Sequence, residues 1–140
     1  MKKIIGRVEK VHLIDFDIAE IDAKVDTGAY TSSIHCKKIK ETTIDGVPHL
    51  KFALLDKKHN HFSGKKFIFK EYFIREVKSS NGIVSKRFSI KTKVQMANKT
   101  YKIEFTLNNR SSMRYPILLG RKFLNKKFLV DPSVSYQTQP

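Results

Sequence analysis

Apolar and polar positions alternate along most of this chain, and the period is two rather than that of a helix. Ala19, Ile21, Ala23 and Val25 are interleaved with Glu20, Asp22 and Lys24, which predicts a strand with one buried face. Phe88, Ile90, Thr92, Val94 and Met96 alternate with Arg87, Ser89, Lys91, Lys93 and Gln95. After a turn placed at Asn98-Lys99 the pattern resumes, with Tyr101, Ile103, Phe105 and Leu107 set against Lys102, Glu104 and Thr106. That predicts a hairpin. Asp45-Gly46 predicts a second hairpin, between 33–43 and 47–55, and 57–66 reads as a polar loop. The stretches 71–77 and 83 onward flank a short turn cluster, Ser79-Ser80-Asn81-Gly82. The one helix predicted is a turn or two at 121–125, just after Gly120. There is no internal repeat, low-complexity linker or heptad. So many strands in a small chain imply an all-β, closed or nearly closed barrel with few free edges.

The chain has 140 residues, which suits a single domain over 1–140 with a real core. No apolar run is long enough for a membrane helix, and the basic start lacks the apolar stretch of a secretory signal, so no membrane partner is expected. The lone Cys36 rules out an internal disulfide framework and fits a reducing cytoplasm. Charge changes the picture. Lys and Arg number 28 against 13 Asp and Glu, a formal net charge of +15. Such a field attracts nucleic acid, an acidic membrane or an acidic polypeptide. Its cations are scattered in pairs, however, as lysines decorating solvent faces would be.

Two motifs carry the chemistry. The alternating segment ending at Val25 delivers Asp26-Thr27-Gly28, and Pro116-Ile117-Leu118-Leu119-Gly120-Arg121 follows late in the chain. A strand that brings a carboxylate into a tight Gly turn, paired with a later apolar run ending in Gly, outlines an aspartic-protease half. Ala23 to Ala29, Thr31-Ser32-Ser33-Ile34-His35, Ser79-Ser80-x-Gly82, Arg110-Ser111-x-Met113, Pro116 to Arg121 and Leu129-Val130-Asp131-Pro132-Ser133 stand in one order. In that order they resemble the RimK/LysX-associated family, which has carried the label ATP-dependent zinc proteases and whose fold is similar to that of the retropepsins. The resemblance implies a functional link to ATP-grasp ligases that add glutamate or similar residues to protein ends, with a peptidase trimming the additions. This chain departs from the expected pattern at Tyr30, where a basic or small residue would be anticipated. The stretch from about Asp45 to Lys70 has no counterpart in a minimal retropepsin.

An aspartic protease needs two carboxylates sharing one proton, one acting as base on water and the other as acid toward the scissile carbonyl. Only one Asp-Thr-Gly is present, so an active enzyme requires a homodimer with Asp26 of each chain meeting on the two-fold axis. Asp26, Thr27 and Gly28 are the catalytic candidates, with Thr27 supporting the turn through its hydroxyl. Ala29, Ser79, Ser80, Gly82, Arg110 and Arg114 are the substrate-binding candidates: Ser79, Ser80 and Gly82 as a flap tip, the two arginines as anchors for an acidic polypeptide. Arg121 is read as a brace for the Asp26 turn.

No metal ligands and no cofactor are assigned. The five histidines, His12, His35, His49, His59 and His61, do not form a His-Glu-x-x-His helix. His35 and Cys36 are neighbours, so on a strand they point apart. No Walker-type loop is present, which leaves any ATP dependence to a partner ligase. The alternative is a catalytically inactive barrel that binds acidic polypeptide or nucleic acid. Stacking on nucleic acid would need exposed aromatics along a basic groove, whereas Phe88, Tyr101 and Phe105 fall on apolar faces.

Overall fold

The computed structural model describes residues 2–55, 64–78, 81–109 and 114–138. A short strand β1 (Lys3–Ile5) leads into β2 (Val8–Leu13), a single 3-10 turn (Ile14–Phe16) and β3 (Ile18–Val25). Two long strands then carry much of the fold: β4 (Ser32–Ile44), with its hairpin partner β5 (Val47–Leu54), and further on β8. Between them lie β6 (Lys66–Phe69) and β7 (Phe73–Lys78), before β8 (Val84–Met96) and β9 (Lys99–Asn108). The chain closes with β10 (Ile117–Leu119), the one-turn helix α1 (Arg121–Leu124) and β11 (Phe128–Val130).

Hydrogen-bonded pairing runs β10–β3–β2–β8–β9–β4 and returns from β4 to β10, so these strands form a ring. The fold is mostly β with one short helix after Gly120, as the alternation predicts. Of the inward positions of that alternation, Ile21, Ala23, Val25, Ile90, Val94, Met96, Ile103, Phe105 and Leu107 are in the buried core and Phe88 and Tyr101 are partly buried against it, whereas Ala19 is exposed, next to Glu20 with its left-handed φ of 58°. Burying these side chains is the main stabilising term of such a fold, at about 25 cal/mol per Å² of apolar surface.

Both predicted two-residue hairpin turns are present. Asp45 and Gly46 take φ of 51° and 78°, the double left-handed geometry that matches the strand twist. The second turn lies one residue earlier than placed: Ala97 and Asn98 occupy it, with φ of 56° and 63°, and Met96 pairs with Lys99. The pairing of Val94 with Tyr101 sets this register, so cross-strand packing overrides the poor fit of Ala to a left-handed position.

The stretch 45–70, unexplained by sequence, builds a side sheet. β5 pairs with the outer half of β4, and β6 pairs with β5. Phe52, Phe67 and Phe69 gather around Phe16, with ring centroids 6.2, 4.8 and 5.7 Å from it. This insertion therefore adds an aromatic minicore over the 3-10 turn. In the inner half of β4, which pairs with β9 and β10, Ser32 to Cys36 are buried without interruption.

At the other end, β1 pairs in parallel with β11, and the tail beyond folds back along β1 and β2. Glu9, fully buried, holds it. One carboxylate oxygen accepts the N–H groups of Gly6 (2.7 Å) and Gln137 (3.0 Å); the other accepts the N–H and hydroxyl of Thr138 (3.0 and 2.9 Å). Gly6 is required there, because a Cβ would stand 2.3 Å from the Val134 carbonyl oxygen.

Candidate active site

Asp26 is the residue immediately after β3, and its position is set by β10. That short strand lies between β3 and β4, parallel to the first (Leu119 beside Val25) and antiparallel to the second (Ile117 beside Ile34). The Asp26 N–H donates to the Leu119 carbonyl at 2.9 Å, extending the parallel ladder by one rung into the turn. Gly28 N–H then donates to Asp26 Oδ1 at 2.9 Å, and Ala29 N–H to the Asp26 carbonyl at 3.3 Å. A Cβ on Gly28 would sit 3.2 Å from that same Oδ1, so the absence of a side chain is what lets the amide approach the carboxylate. Asp26 is half-buried, while Thr27 and Gly28 are exposed and Ala29 is intermediate.

Gly120 ties the two motifs together. Its N–H donates to the hydroxyl of buried Ser32 at 3.0 Å. An added Cβ would fall 2.7 Å from Tyr30 O and from Thr31 C and O, so only glycine lets these chains meet. The next residues complete the clamp: Arg121 N–H donates to Ala29 O (2.8 Å) and Lys122 N–H to Tyr30 O (2.9 Å). Arg121 also reaches back across the turn. Its guanidinium donates to Thr27 O at 3.0 Å and lies 5.8 Å from the centroid of exposed Tyr30. The bracing role read for Arg121 is thus seen in the geometry, and the unexpected Tyr30 is the platform on which it rests. Thr27 takes part through its carbonyl, where its hydroxyl was expected.

Of the substrate-binding candidates, Gly82 lies at the tip joining β7 and β8, in the left-handed region at φ 84°, beside an Asn81 whose carboxamide oxygen accepts Ile83 N–H at 3.2 Å. Ile83 and Val84, just past Gly82 at the start of β8, are exposed. Ser79, Ser80 and Arg110 lie outside the described residues, as do His59 and His61. Arg114 is exposed, its guanidinium 5.3 Å from the centroid of Tyr115.

Among the described residues, no three His, Cys, Asp or Glu side chains come together to hold a metal. His35 is fully buried, its backbone bonded to Pro116 O (2.8 Å) and by Leu55 N–H (3.0 Å). Cys36 beside it is equally buried, and that burial pushes its thiol far above its usual range. Strand alternation sets these two on opposite faces, and both faces of β4 are buried there. The described residues therefore do not fit a zinc centre.

Two groups that sequence reading passed over stand close by. Ser32 stands in a motif, but nothing local announces its bond to Gly120, which is remote in sequence. Glu104, one polar position in an alternating strand, is a node. It accepts Arg75 Nε and Nη2 at 2.9 and 3.1 Å and the Ser89 hydroxyl at 2.7 Å, with Lys122 Nζ at 3.5 Å. Burial alone would raise its pKa; these donors and charges outweigh that and hold it at about 2.

A strand-borne aspartate in a glycine turn, laid against a Leu-Leu-Gly strand inserted between its two neighbours, is the half-site framework of a retropepsin-like protein. The chain belongs to the RimB-like family, described as the retropepsin-like aspartic endopeptidase RimB, whose model matches residues 4–140. It is similar to a protein of Shewanella halifaxensis (strain HAW-EB4) named a probable alpha-L-glutamate ligase, 39% identical over 139 residues that are 96% of this chain and 30% of that one. A protein of the same name from Desulfotalea psychrophila (strain LSv54 / DSM 12343) is 34% identical over 137 residues, 95% of this chain and 29% of the relative. The chain thus spans about 30% of the length of these curated relatives. The crystal structure of a protein of unknown function from Legionella pneumophila subsp. pneumophila str. Philadelphia 1 superposes with a TM-score of 0.76 at 32% identity, covering 99% of this chain and 100% of that one. No described helix is long and apolar enough to cross a membrane.

Proposed function

We propose that this protein is an aspartic-type peptidase that hydrolyses peptide or isopeptide amides in glutamate-rich additions, working as a homodimer in the cytoplasm. The observation that carries this reading is the hold on Asp26: its backbone is pinned to Leu119 while Gly28 N–H fixes one carboxylate oxygen. The other oxygen is left to face a partner. Two such turns brought together on a two-fold axis place two carboxylates within a hydrogen bond of each other, and they then share one proton. The ionised carboxylate takes a proton from water as it attacks the amide carbonyl, and the protonated one donates to the carbonyl oxygen. Proton transfer to the amide nitrogen then lets the tetrahedral species expel the amine, giving a free carboxylic acid.

The acidic-substrate part of the reading is supported by the +15 charge and by relatives named for glutamate ligation, of which this chain corresponds to one part. An amide that a ligase forms is one a peptidase can cleave. The β7–β8 hairpin, turning through Gly82 at φ 84° with exposed Ile83 and Val84 beside it, is the segment proposed to close over an extended chain. The nucleic-acid alternative finds less support: Phe105 is buried, Phe88 and Tyr101 are partly buried, and the large aromatics exposed among the described residues are Tyr30 and Tyr136.

The test is turnover of a glutamate-extended peptide by wild type and by Asp26→Asn, with sedimentation to read the association state. Asn is nearly isosteric and keeps the Gly28 bond, so the variant should fold and lose hydrolysis. Full activity in the variant, or an active strict monomer, would overturn the reading.

A further inference from the structure

Behind the Asp26 turn, on the outer face of the ring, lies a second candidate site. Lys91 of β8, Lys102 and Glu104 of β9, Lys122 and Phe123 of α1, and Lys127 surround a cavity of about 390 Å³, with Ser32 at its inner wall. That volume falls in the range of ligand pockets, about 300–1,000 Å³. Its walls carry four lysines against one acid, and the acid is already occupied. Glu104 spends its oxygens on Arg75, Ser89 and Lys122, so it has little capacity left to neutralise the others. Lys102 stands directly across from Lys93, and the Asp15 carboxylate, which accepts the Lys93 N–H at 2.9 Å, offsets part of that like-charge pair. Lys127 is held over the Phe123 ring, 5.4 Å from its centroid, by donating to the Phe123 carbonyl at 3.0 Å. The cations are thus presented around a concave surface.

We infer that this groove is a docking site for a carboxylate-rich stretch of polypeptide, separate from the Asp26 cleft. The inference rests on the acidic-substrate reading above and adds a place where such a chain is gripped. Lysines are mobile point charges that suit flexible side-chain carboxylates at irregular spacing. A nucleic-acid strand would call for exposed stacking rings, and Phe123 is buried. The groove is mechanically joined to the catalytic framework. Ser32, on its wall, receives Gly120 N–H, and the preceding carbonyl, that of Leu119, holds Asp26. A chain anchored here keeps its far end near the turn, raising the local concentration of scissile amides.

The experiment measures binding without turnover. A fluorescent oligo-glutamate peptide is titrated by anisotropy into the 140-residue Asp26→Asn protein, alone and with Lys91→Gln, Lys102→Gln and Lys127→Gln combined. A control replaces Lys40, Lys51 and Lys66, on the β4–β5–β6 sheet, with Gln, removing the same charge elsewhere; far-ultraviolet circular dichroism verifies folding of both. The groove variant should bind about tenfold more weakly and the control less than about twofold, with added salt weakening all three. Equal losses in the two variants would show a diffuse field and overturn the inference. So would tighter, groove-dependent binding of a single-stranded oligonucleotide. Groove-dependent peptide binding without any hydrolysis by wild type would sink the peptidase reading and leave the docking site standing. Hydrolysis and binding unaffected by the groove substitutions would do the reverse.

Discussion

Asp26 and Leu119 are 93 positions apart, yet the N–H of one donates to the carbonyl of the other at 2.9 Å. This bond places the carboxylate, because Asp26 lies one residue past the end of β3 and would otherwise be free to swing with its turn. Gly120, the next residue, fits between the Tyr30–Thr31 backbone and the Ser32 hydroxyl with no room for a side chain.

Gly120→Ala should therefore damage both stability and activity. Its Cβ would meet Thr31 and Tyr30 backbone atoms at 2.7 Å, which cannot move aside as a side-chain tip could. A loss of about 1–3 kcal/mol is expected, read by chemical denaturation. At temperatures where the variant stays folded, turnover should fall further than wild type's, as the Asp26 turn shifts. A variant with wild-type stability would show that the clamp is looser than described.

Arg121→Lys should act more locally. A lysine cannot both donate to Thr27 O and lie against the Tyr30 ring as the planar guanidinium does. Stability should change by less than about 1 kcal/mol, while kcat drops about tenfold through poorer positioning of the turn. Tyr30→Phe keeps the ring and should retain activity. Equal loss in both variants would move the role from the ring to the Tyr30 hydroxyl.

Glu9 is a buried carboxylate with four donors on it. Glu9→Ala strands Gly6, Gln137 and Thr138 donors and should cost about 3–5 kcal/mol. Hydrogen exchange should show amides 137 and 138 losing protection first. A folded variant whose tail stays protected would mean that the Val134 and Tyr136 backbone bonds suffice to hold it.

Acid should erode stability through Glu104. Its folded pKa is about 2, below the ordinary 4.5, so its contribution is fully present above about 4.5 and is lost as pH falls toward 2. Discounting for partial exposure, about 2 kcal/mol should disappear across that window. Glu104→Gln should flatten this part of the pH–stability curve. An unchanged slope would assign acid sensitivity to other carboxylates.

Hydrolysis by the purified protein should survive EDTA, because the proposed chemistry uses Asp26 carboxylates. Turnover that EDTA removes and zinc restores, and that His35→Ala abolishes, would instead assign the reaction to a metal.

The alternation of 19–25, 88–96 and 101–107 was enough to read an all-β ring, since period-two burial is a local property of a strand. The two glycine motifs were legible for a similar reason: a carboxylate entering a tight turn and an apolar run ending in glycine leave their marks in adjacent residues. Even the purpose of Arg121 could be read from its place after Gly120. What the tertiary structure alone decided is every relationship between distant residues. β10 lies between β3 and β4 because Ile117 and Leu119 fill the core there, and no local pattern announces which strands a three-residue segment will part. The 45–70 insertion looked purposeless until Phe52, Phe67 and Phe69 were seen around Phe16. Ser32, Glu9 and Glu104 each looked like an ordinary polar residue. Their importance lies in donors brought to them by folding, and a hydrogen bond between residues 15 to 129 positions apart has no periodicity to betray it.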